Sequence, residues 1–187
     1  MKAVARVVRP GDRILDLGAG LGVVTTRAAT LAGPTGHTVA VEANPRLPPM
    51  IGRMAQANRV SIEIVNGAVG VDDGFVEFNK ADHFLSSSIY QRDATAGEVI
   101  RIPQISFRGL LDRVKPSVVI FDIEGAEKEI FRAPIPDHVR AMVGEFHEHI
   151  IGPVATSAVV KDILGQGFSL LMSASSDNTL AFERFPA

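Results

Sequence analysis

Short apolar runs alternate with helical patterns along most of this chain. Five runs are bounded by turn residues and are predicted to be strands: Arg13–Leu17, Thr38–Glu42, Ser61–Val65, Ser117–Asp122 and Ala141–Phe146. Between the first two strands, Val24, Ala28 and Leu31 recur at helical spacing until Gly33 ends the helix. The alternation indicates an α/β protein with a mainly parallel sheet.

Later helices follow the same order. Asn44 is predicted to cap a helix that runs to about Asn58, and the segment GAEKEIF is predicted to continue the Ser117 strand into another helix. Only about a dozen residues precede the first strand, which leaves little room for a helix there.

Two segments depart from simple alternation. Residues 167–185 are predicted to form two strands joined by a polar turn around Asp177 and Asn178, which adds an antiparallel hairpin to the sheet. Residues 70–106 contain two short alternating strands around a serine-rich stretch and are interpreted as an insertion. With 187 residues and no recognisable linker, the chain is predicted to be a single domain spanning 1–187.

A glycine-rich turn follows the first strand, at the sheet edge where open α/β sheets bind ligands. Gly18, Gly20 and Gly22 occupy relative positions one, three and five, whereas the dinucleotide fingerprint requires one, three and six. Asp16, at the end of the strand, would repel a pyrophosphate but suits the ammonium and sulfonium groups of S-adenosylmethionine. Glu42 ends the second strand, where an acidic side chain can hold ribose hydroxyls in either cofactor class. The charge of Asp16 therefore favours S-adenosylmethionine over NAD.

With these residues the chain resembles the class I S-adenosylmethionine-dependent methyltransferases, and specifically the FkbM type. The matching segments are PGDRILDLGAGLG (10–22), VEANP (41–45), NGAVG (66–70), SSS (86–88), FDIEGAEKEIF (121–131) and GEFH (144–147). The resemblance implies a Rossmann-like class I methyltransferase fold. Its sheet would be seven-stranded and mainly parallel, with a C-terminal antiparallel hairpin and helices on both faces.

The resemblance also implies roles for individual residues. The methionine part of the cofactor would be lined by Asp16, Gly18, Gly20 and Gly22, the ribose would be held by Glu42, and the adenine would lie near Asn66, Gly67 and Ala68. Asp122 and Glu124 would face the transferred methyl group and the acceptor. Family members commonly have asparagine in place of Gly20, lysine in place of Ile120 and an acidic residue in place of Arg108, so the resemblance does not identify the acceptor.

Methyl transfer from a sulfonium needs mainly alignment of the acceptor with the methyl carbon. An acceptor hydroxyl must also lose a proton, and a carboxylate or imidazole within about 3 Å can take it. The candidates, in order of preference, are Asp122, His147 and Glu124. Glu124 is equally expected to be a helix N-terminal carboxylate, and His147 is more often a structural histidine than a base.

The same strand ends carry residues that could bind a metal. Glu145, His147 and His149 alternate by two and, with Asp122, resemble a set of carboxylate and imidazole ligands. Alternating polar residues at a strand end are usually solvated, so no metal is predicted.

Composition and motifs define the expected partners. The net charge is −2, with 19 basic and 21 acidic residues, and the fourth strand lacks the Pro-Pro-aromatic stretch that holds a flipped base. These features predict a small-molecule or sugar hydroxyl acceptor and no nucleic acid partner. The chain has no long apolar span and no signal peptide, which predicts a cytoplasmic protein without a membrane partner.

The predicted function is S-adenosylmethionine-dependent O-methylation. Two alternatives remain open at this point. One is an NAD(P)-dependent oxidoreductase, and the other is a methyltransferase-like fold that only binds.

Overall fold

The computed structural model describes residues 1–80 and 98–185, and the bounds that follow refer to that part of the chain. The strands are β1 (Arg13–Leu17), β2 (His37–Glu42), β3 (Glu63–Asn66), β4 (Ala68–Gly70), β5 (Gly74–Lys80), β6 (Glu98–Ser106), β7 (Val118–Phe121), β8 (Ala141–Glu145), β9 (Ser169–Leu170) and β10 (Thr179–Glu183). The helices are α1 (Lys2–Val7), α2 (Val23–Ala32), α3 (Pro48–Asn58), α4 (Phe107–Val114), α5 (Glu127–Ile130), α6 (Glu148–Ile151) and α7 (Pro153–Gly165).

Seven of the strands form the main sheet, in the order β3-β2-β1-β7-β8-β10-β9. The first five in this order are parallel to one another, and β10 runs antiparallel to both β8 and β9. The chain order reverses on either side of β1, so the carboxyl ends of β1 and β7 border the crevice where such sheets bind ligands. The predicted sheet and its C-terminal hairpin are confirmed.

Helices cover both faces of this sheet because successive strand residues point to opposite sides. On one face Leu15 and Phe121 pack in a cluster with apolar residues of α4, α5 and α7. On the other face Ile14 and Val118 pack in a cluster with residues of α1 and α2. Strands β1, β2, β7 and β8 are buried along most of their length and read as continuous apolar runs, whereas β3 is more exposed. All five predicted strands match the observed ones within two residues.

The helices differ from prediction in three places. A short helix, α1, does precede the first strand. Helix α3 begins at Pro48 and is not capped by Asn44, whose side chain instead accepts a hydrogen bond from the amide of Arg46. Proline suits the first helical turn because its missing amide would have no partner there. Helix α5, after β7, has only four residues.

A second sheet, in the order β4-β6-β5, is attached after β3. Strand β6 pairs antiparallel with β5 and parallel with β4. The two strands expected between residues 70 and 106 are therefore present, whereas the serine segment 86–88 lies outside the described residues. The assignment of 1–187 to one domain stays a prediction. Among residues 1–80 and 98–185, no helix combines the length and apolar character needed to cross a bilayer.

Candidate active site

The turn after β1 packs directly against the end of β7. Gly18 has φ +78°, and a Cβ built there would lie 1.8 Å from the carbonyl oxygen of Asp122. The amide of Asp122 in turn donates to the carbonyl of Leu17 at 2.8 Å. Gly18 is thus required by the close approach of two backbone segments.

The other two glycines of the turn have different surroundings. Gly22, at φ +82°, would place a Cβ 3.1 Å from the side chain of Ile51 in α3. Gly20, at φ +55°, would place a Cβ more than 4 Å from every other atom of the described residues outside its own neighbours. Of the three glycines assigned to the cofactor, Gly20 is therefore the one that faces open space.

Most backbone amides of the turn already have protein acceptors. Those of Gly18 and Ala19 donate to the carbonyl of Val41 at 2.9 and 3.1 Å, and that of Gly22 donates to the carbonyl of Ala19 at 2.8 Å. The amide of Gly20 donates to Glu42 Oε2 at 2.7 Å. Phosphate-binding turns direct their amides at the ligand. The amides of this turn are instead bonded within the protein, which argues against a pyrophosphate cofactor and so against the NAD(P) alternative.

Two buried carboxylates lie beneath and beside the turn. Asp16 is 2% exposed and accepts a hydrogen bond from the Thr25 hydroxyl, and Glu42 is 7% exposed. Burial raises the pKa of Asp16 to about 6; the bond from Thr25 opposes this, and the charges of Asp122 and Glu42 add to it.

The pKa of Glu42 is also raised, chiefly by burial. Backbone amides, including those of Asn44 and Gly20, oppose the shift, and the charge of Asp122 adds to it. The crevice therefore carries crowded negative charge that a cationic ligand would relieve.

The residues assigned to the adenine lie beside Glu42. The side-chain amide of Asn66 and the backbone amide of Gly67 both donate to the carbonyl of Glu42, at 2.8 and 2.9 Å. Ala68 is buried at the start of β4. These contacts tie β3 and β4 to β2. A role in adenine binding stays a prediction.

An aromatic cluster holds the ends of β7 and β8 together. The ring of Phe121 lies 4.7 Å from that of Phe131 and 5.4 Å from that of Phe146, both edge-on. A Cβ on Gly144 would lie 2.2 Å from the Phe121 ring, so glycine makes room for it. The cluster places Asp122 and His147, which follow these strands, next to each other.

The three predicted catalytic residues do come together. His147 Nε2 lies 3.3 Å from Asp122 Oδ1 and 3.8 Å from Glu124 Oε2. Glu124 reaches this position because its backbone turns in the left-handed region, with φ +52°. It precedes α5, so the turn and not strand alternation brings it beside Asp122.

A residue without an assigned role from the sequence, Glu127, completes the cluster. Its side chain is fully buried, and its Oε1 lies 2.6 Å from His147 Nδ1. A signal was present in the sequence, because Glu127 shares helical spacing with the apolar Ile130 and Phe131. An acid on an apolar face is expected to be buried with a partner.

These contacts determine the protonation state of His147. Burial lowers the pKa of the imidazole, but hydrogen bonds to Asp122 and Glu127 and the charges of Glu127 and Glu124 outweigh it and raise the pKa to about 10. With no cation bound, His147 is protonated at neutral pH and is poorly suited to be a base. Asp122, whose side chain is 54% exposed, is better placed for that role.

The possible metal ligands named from the sequence are only partly brought together. Donor atoms of Asp122, Glu124 and His147 lie within 4.8 Å of one another. Glu145 is exposed and outside this group, and the ring of His149 packs edge-on against that of His147, with 5.8 Å between centroids.

Comparisons with known proteins bear on the class of fold to which this chain belongs. No protein-family model matches the chain, so the FkbM type stays a prediction. Over 136 residues, or 73% of its length, the chain is 38% identical to the "Probable ribosomal RNA small subunit methyltransferase A" of Methanothermobacter thermautotrophicus and covers 43% of that protein. Over 69 residues, or 37% of its length, it is 36% identical to the ribosomal protein L11 methyltransferase of Thermus thermophilus and covers 26% of it. The chain thus spans less than half the length of either curated relative.

Solved structures agree on the fold. Fibrillarin of Aeropyrum pernix, with natively bound S-adenosyl-L-methionine, matches 94% of this chain and 67% of its own, with a TM-score of 0.54 and 14% identity. Precorrin-6y C5,15-methyltransferase of Geobacter metallireducens matches 97% of this chain and 82% of its own, with a TM-score of 0.52 and 16% identity. The chain has the class I S-adenosylmethionine-dependent methyltransferase fold.

These comparisons confirm one prediction and correct another. S-adenosylmethionine is confirmed as the cofactor found with this fold, as in fibrillarin. The prediction of a small-molecule or sugar acceptor without nucleic acid is wrong, because the curated relatives are named as methyltransferases of ribosomal RNA and of a ribosomal protein. A net charge of −2 averages the whole chain and describes no single surface, so it does not exclude a local contact with RNA.

Proposed function

We propose that this chain is an S-adenosylmethionine-dependent methyltransferase whose acceptor is ribosomal RNA. The observation that carries the cofactor assignment is the polarity of the crevice after β1. The turn amides of Gly18, Ala19, Gly20 and Gly22 are bonded within the protein. The charge of Asp122 adds to the raised pKa of both Asp16 and Glu42. Such a site suits a cation and disfavours a phosphate.

The residues present fit the cofactor. When bound, S-adenosylmethionine supplies a methyl group already activated on a sulfonium. Gly20 leaves open space above the turn, and Glu42 stands at the end of β2 where a ribose is held in this fold class. Asp16 is too buried to make broad contact, so its contribution is mainly its charge.

Transfer to a hydroxyl oxygen is the proposed chemistry. The bound cofactor would supply the methyl group for the new C–O bond and leave as the neutral thioether, and the Asp122 carboxylate would accept the hydroxyl proton. Asp122 is the most exposed member of its cluster, while His147 and Glu127 are buried behind it. Its side chain is 54% exposed and that of Glu124 is 37% exposed, so Asp122 presents the more accessible carboxylate to the acceptor.

Support for ribosomal RNA as the acceptor comes from the relatives. The match that covers the larger share of this chain, 73%, is to the protein named as a ribosomal RNA methyltransferase. The FkbM resemblance does not identify the acceptor and is compatible with any acceptor that brings a hydroxyl to Asp122.

The cofactor is tested by calorimetric titration of the purified chain with S-adenosylhomocysteine and, separately, with NAD. We expect one S-adenosylhomocysteine per chain and no heat from NAD. Tight NAD binding without any S-adenosylhomocysteine signal would reverse the assignment.

The role of Asp122 is tested with Asp122→Asn, which keeps the size of the side chain. This variant should bind the cofactor but lose turnover; unchanged turnover would remove Asp122 from the mechanism.

The acceptor is tested with S-adenosylmethionine labelled in its methyl group. Deproteinised small-subunit ribosomal RNA, intact subunits and isolated ribosomal proteins are incubated with the chain, and the label is measured in the RNA and protein fractions. We expect label in RNA. Label confined to protein would replace ribosomal RNA by a ribosomal protein as the acceptor.

A further inference from the structure

We propose that Asp122, Glu124 and His147 form a binding site for a divalent cation at the ends of β7 and β8. Their donor atoms lie within 4.8 Å of one another, with His147 Nε2 3.3 Å from Asp122 Oδ1 and 3.8 Å from Glu124 Oε2. Donor atoms that share a cation at about 2.1–2.3 Å lie roughly 3.0–3.7 Å apart. A cation between these three atoms needs only small side-chain adjustments.

The second observation is the way His147 is held. A metal-binding histidine usually donates its other ring N–H to a carboxylate, which fixes both the tautomer and the ring plane. Here the fully buried Glu127 lies 2.6 Å from His147 Nδ1. A cation would displace the proton from Nε2, and the ring, keeping its N–H on Nδ1, would then present the lone pair of Nε2 toward Asp122 and Glu124.

Glu127 is paired with His147 through one of its two carboxylate oxygens. Its Oε2 is buried and has no hydrogen-bond partner in the part of the chain that the structure describes. A buried carboxylate is costly unless it is paired and hydrogen-bonded. A divalent cation on the far side of the imidazole would offset that cost through the ring.

The balance of charge and access points the same way. Three carboxylates, those of Asp122, Glu124 and Glu127, surround a single imidazole. The side chains of Asp122 and Glu124 are 54% and 37% exposed, whereas that of His147 is 4% exposed. The site is thus closed behind the histidine and open toward solvent, where water or an acceptor atom can supply further ligands.

The donor set indicates which cations would bind. Two carboxylate oxygens suit Mg²⁺ and Mn²⁺, and an imidazole nitrogen favours the transition metal of the two. Mn²⁺ is therefore the better probe. The proposed role, which rests on the proposed function, is to orient an acceptor oxygen, with Asp122 Oδ1 on the cation and Oδ2 left to take the proton.

Binding is tested on the whole chain without cofactor, by titration of Mn²⁺ followed by electron paramagnetic resonance. We expect one Mn²⁺ per chain, with electron spin-echo modulation from one imidazole nitrogen. Glu124→Gln should weaken binding, and Glu127→Gln should weaken it by about tenfold to a hundredfold, as loss of an outer-shell partner does elsewhere. Thermal melting of each variant reports whether it folds.

Glu145→Gln is the matched control, since Glu145 is an exposed acid at the end of the adjacent β8 and lies outside the cluster. Its Mn²⁺ affinity should equal that of the unmodified chain. No Mn²⁺ binding at millimolar concentration, no nitrogen modulation, or equal weakening by Glu145→Gln would each overturn the proposal. Because no cofactor is present, these results are independent of S-adenosylhomocysteine binding, which tests the proposed function separately.

Discussion

Replacing Asp16 with asparagine is expected to stabilise the ligand-free protein at pH 8. The carboxylate is buried, and its pKa is raised from 3.8 to about 6, mainly by desolvation. A carboxyl group with a raised pKa binds its proton more tightly in the folded state, so the folded protein loses stability as the pH rises from about 4 to 6. Asparagine removes that charge, and its side-chain carbonyl can still accept the hydrogen bond from Thr25.

The magnitude follows from the size of the shift. At 1.36 kcal/mol per pKa unit, ionising Asp16 in the folded state costs about 3 kcal/mol above pH 7 and about 1 kcal/mol at pH 4.5. In a domain of this size, 1 kcal/mol moves the melting temperature by roughly 2–4 °C. Asp16→Asn should therefore raise the Tm by about 6–12 °C at pH 8 and by much less at pH 4.5.

Calorimetric melting at the two pH values measures the difference. Asp112→Asn serves as the control, because Asp112 is exposed and pairs with Arg108 one helical turn away. Its effect should stay within about 0.5 kcal/mol at either pH. A gain for Asp16→Asn that is the same at both pH values, or a loss at pH 8, would refute the assignment of a strained buried charge.

The remaining predictions concern glycines. Gly18→Ala should disrupt the turn, because the new Cβ would collide with the backbone of Asp122. Gly20→Ala should lower the free energy of unfolding by only about 1–2 kcal/mol, for its left-handed backbone, and should weaken S-adenosylhomocysteine binding. Melting and titration separate the two; full affinity in Gly20→Ala would mean that its open side does not face the cofactor. Gly144→Ala should destabilise the chain by about 1–3 kcal/mol by overpacking against Phe121, and an unchanged unfolding free energy would contradict the observed packing.

The main sheet was predictable because its central strands β2, β1, β7 and β8 are buried on both faces and stand out as apolar runs. The glycine turn could be placed for the same reason, since it follows the first of these runs directly. The reason for each glycine could not be predicted. Gly18 is required because the carbonyl of Asp122, more than a hundred residues away in sequence, leaves no space for a Cβ. The two residues are close only because β1 and β7 pair.

The catalytic cluster was only partly predictable. Asp122 and His147 follow parallel neighbouring strands, so their proximity could be expected from the fold. The contribution of Glu124 depends on a left-handed turn, and that of Glu127 depends on where the short α5 begins. Strand β4 has three residues, too few for a periodic pattern, so the second sheet could not be fully anticipated.

The acceptor was predicted wrongly because a count of charged residues does not locate them. The chain carries nearly equal numbers of acidic and basic residues, so its overall electrostatic field is weak. A weak overall field does not exclude a local contact with RNA. Information about the acceptor came from the relatives and not from the pattern of the chain.

Proton release on S-adenosylmethionine binding tests the anionic character of the crevice most directly. Titrations at pH 6 in two buffers with different ionisation enthalpies give the number of protons exchanged. Because Asp16, with a pKa of about 6, is half protonated there, a bound cation should expel up to about half a proton from it, and Asp16→Asn should abolish most of that release. Release that persists in Asp16→Asn would assign the proton to a group other than Asp16. Proton uptake on binding, or binding with no proton exchange, would show that the cofactor's positive charge does not meet these carboxylates.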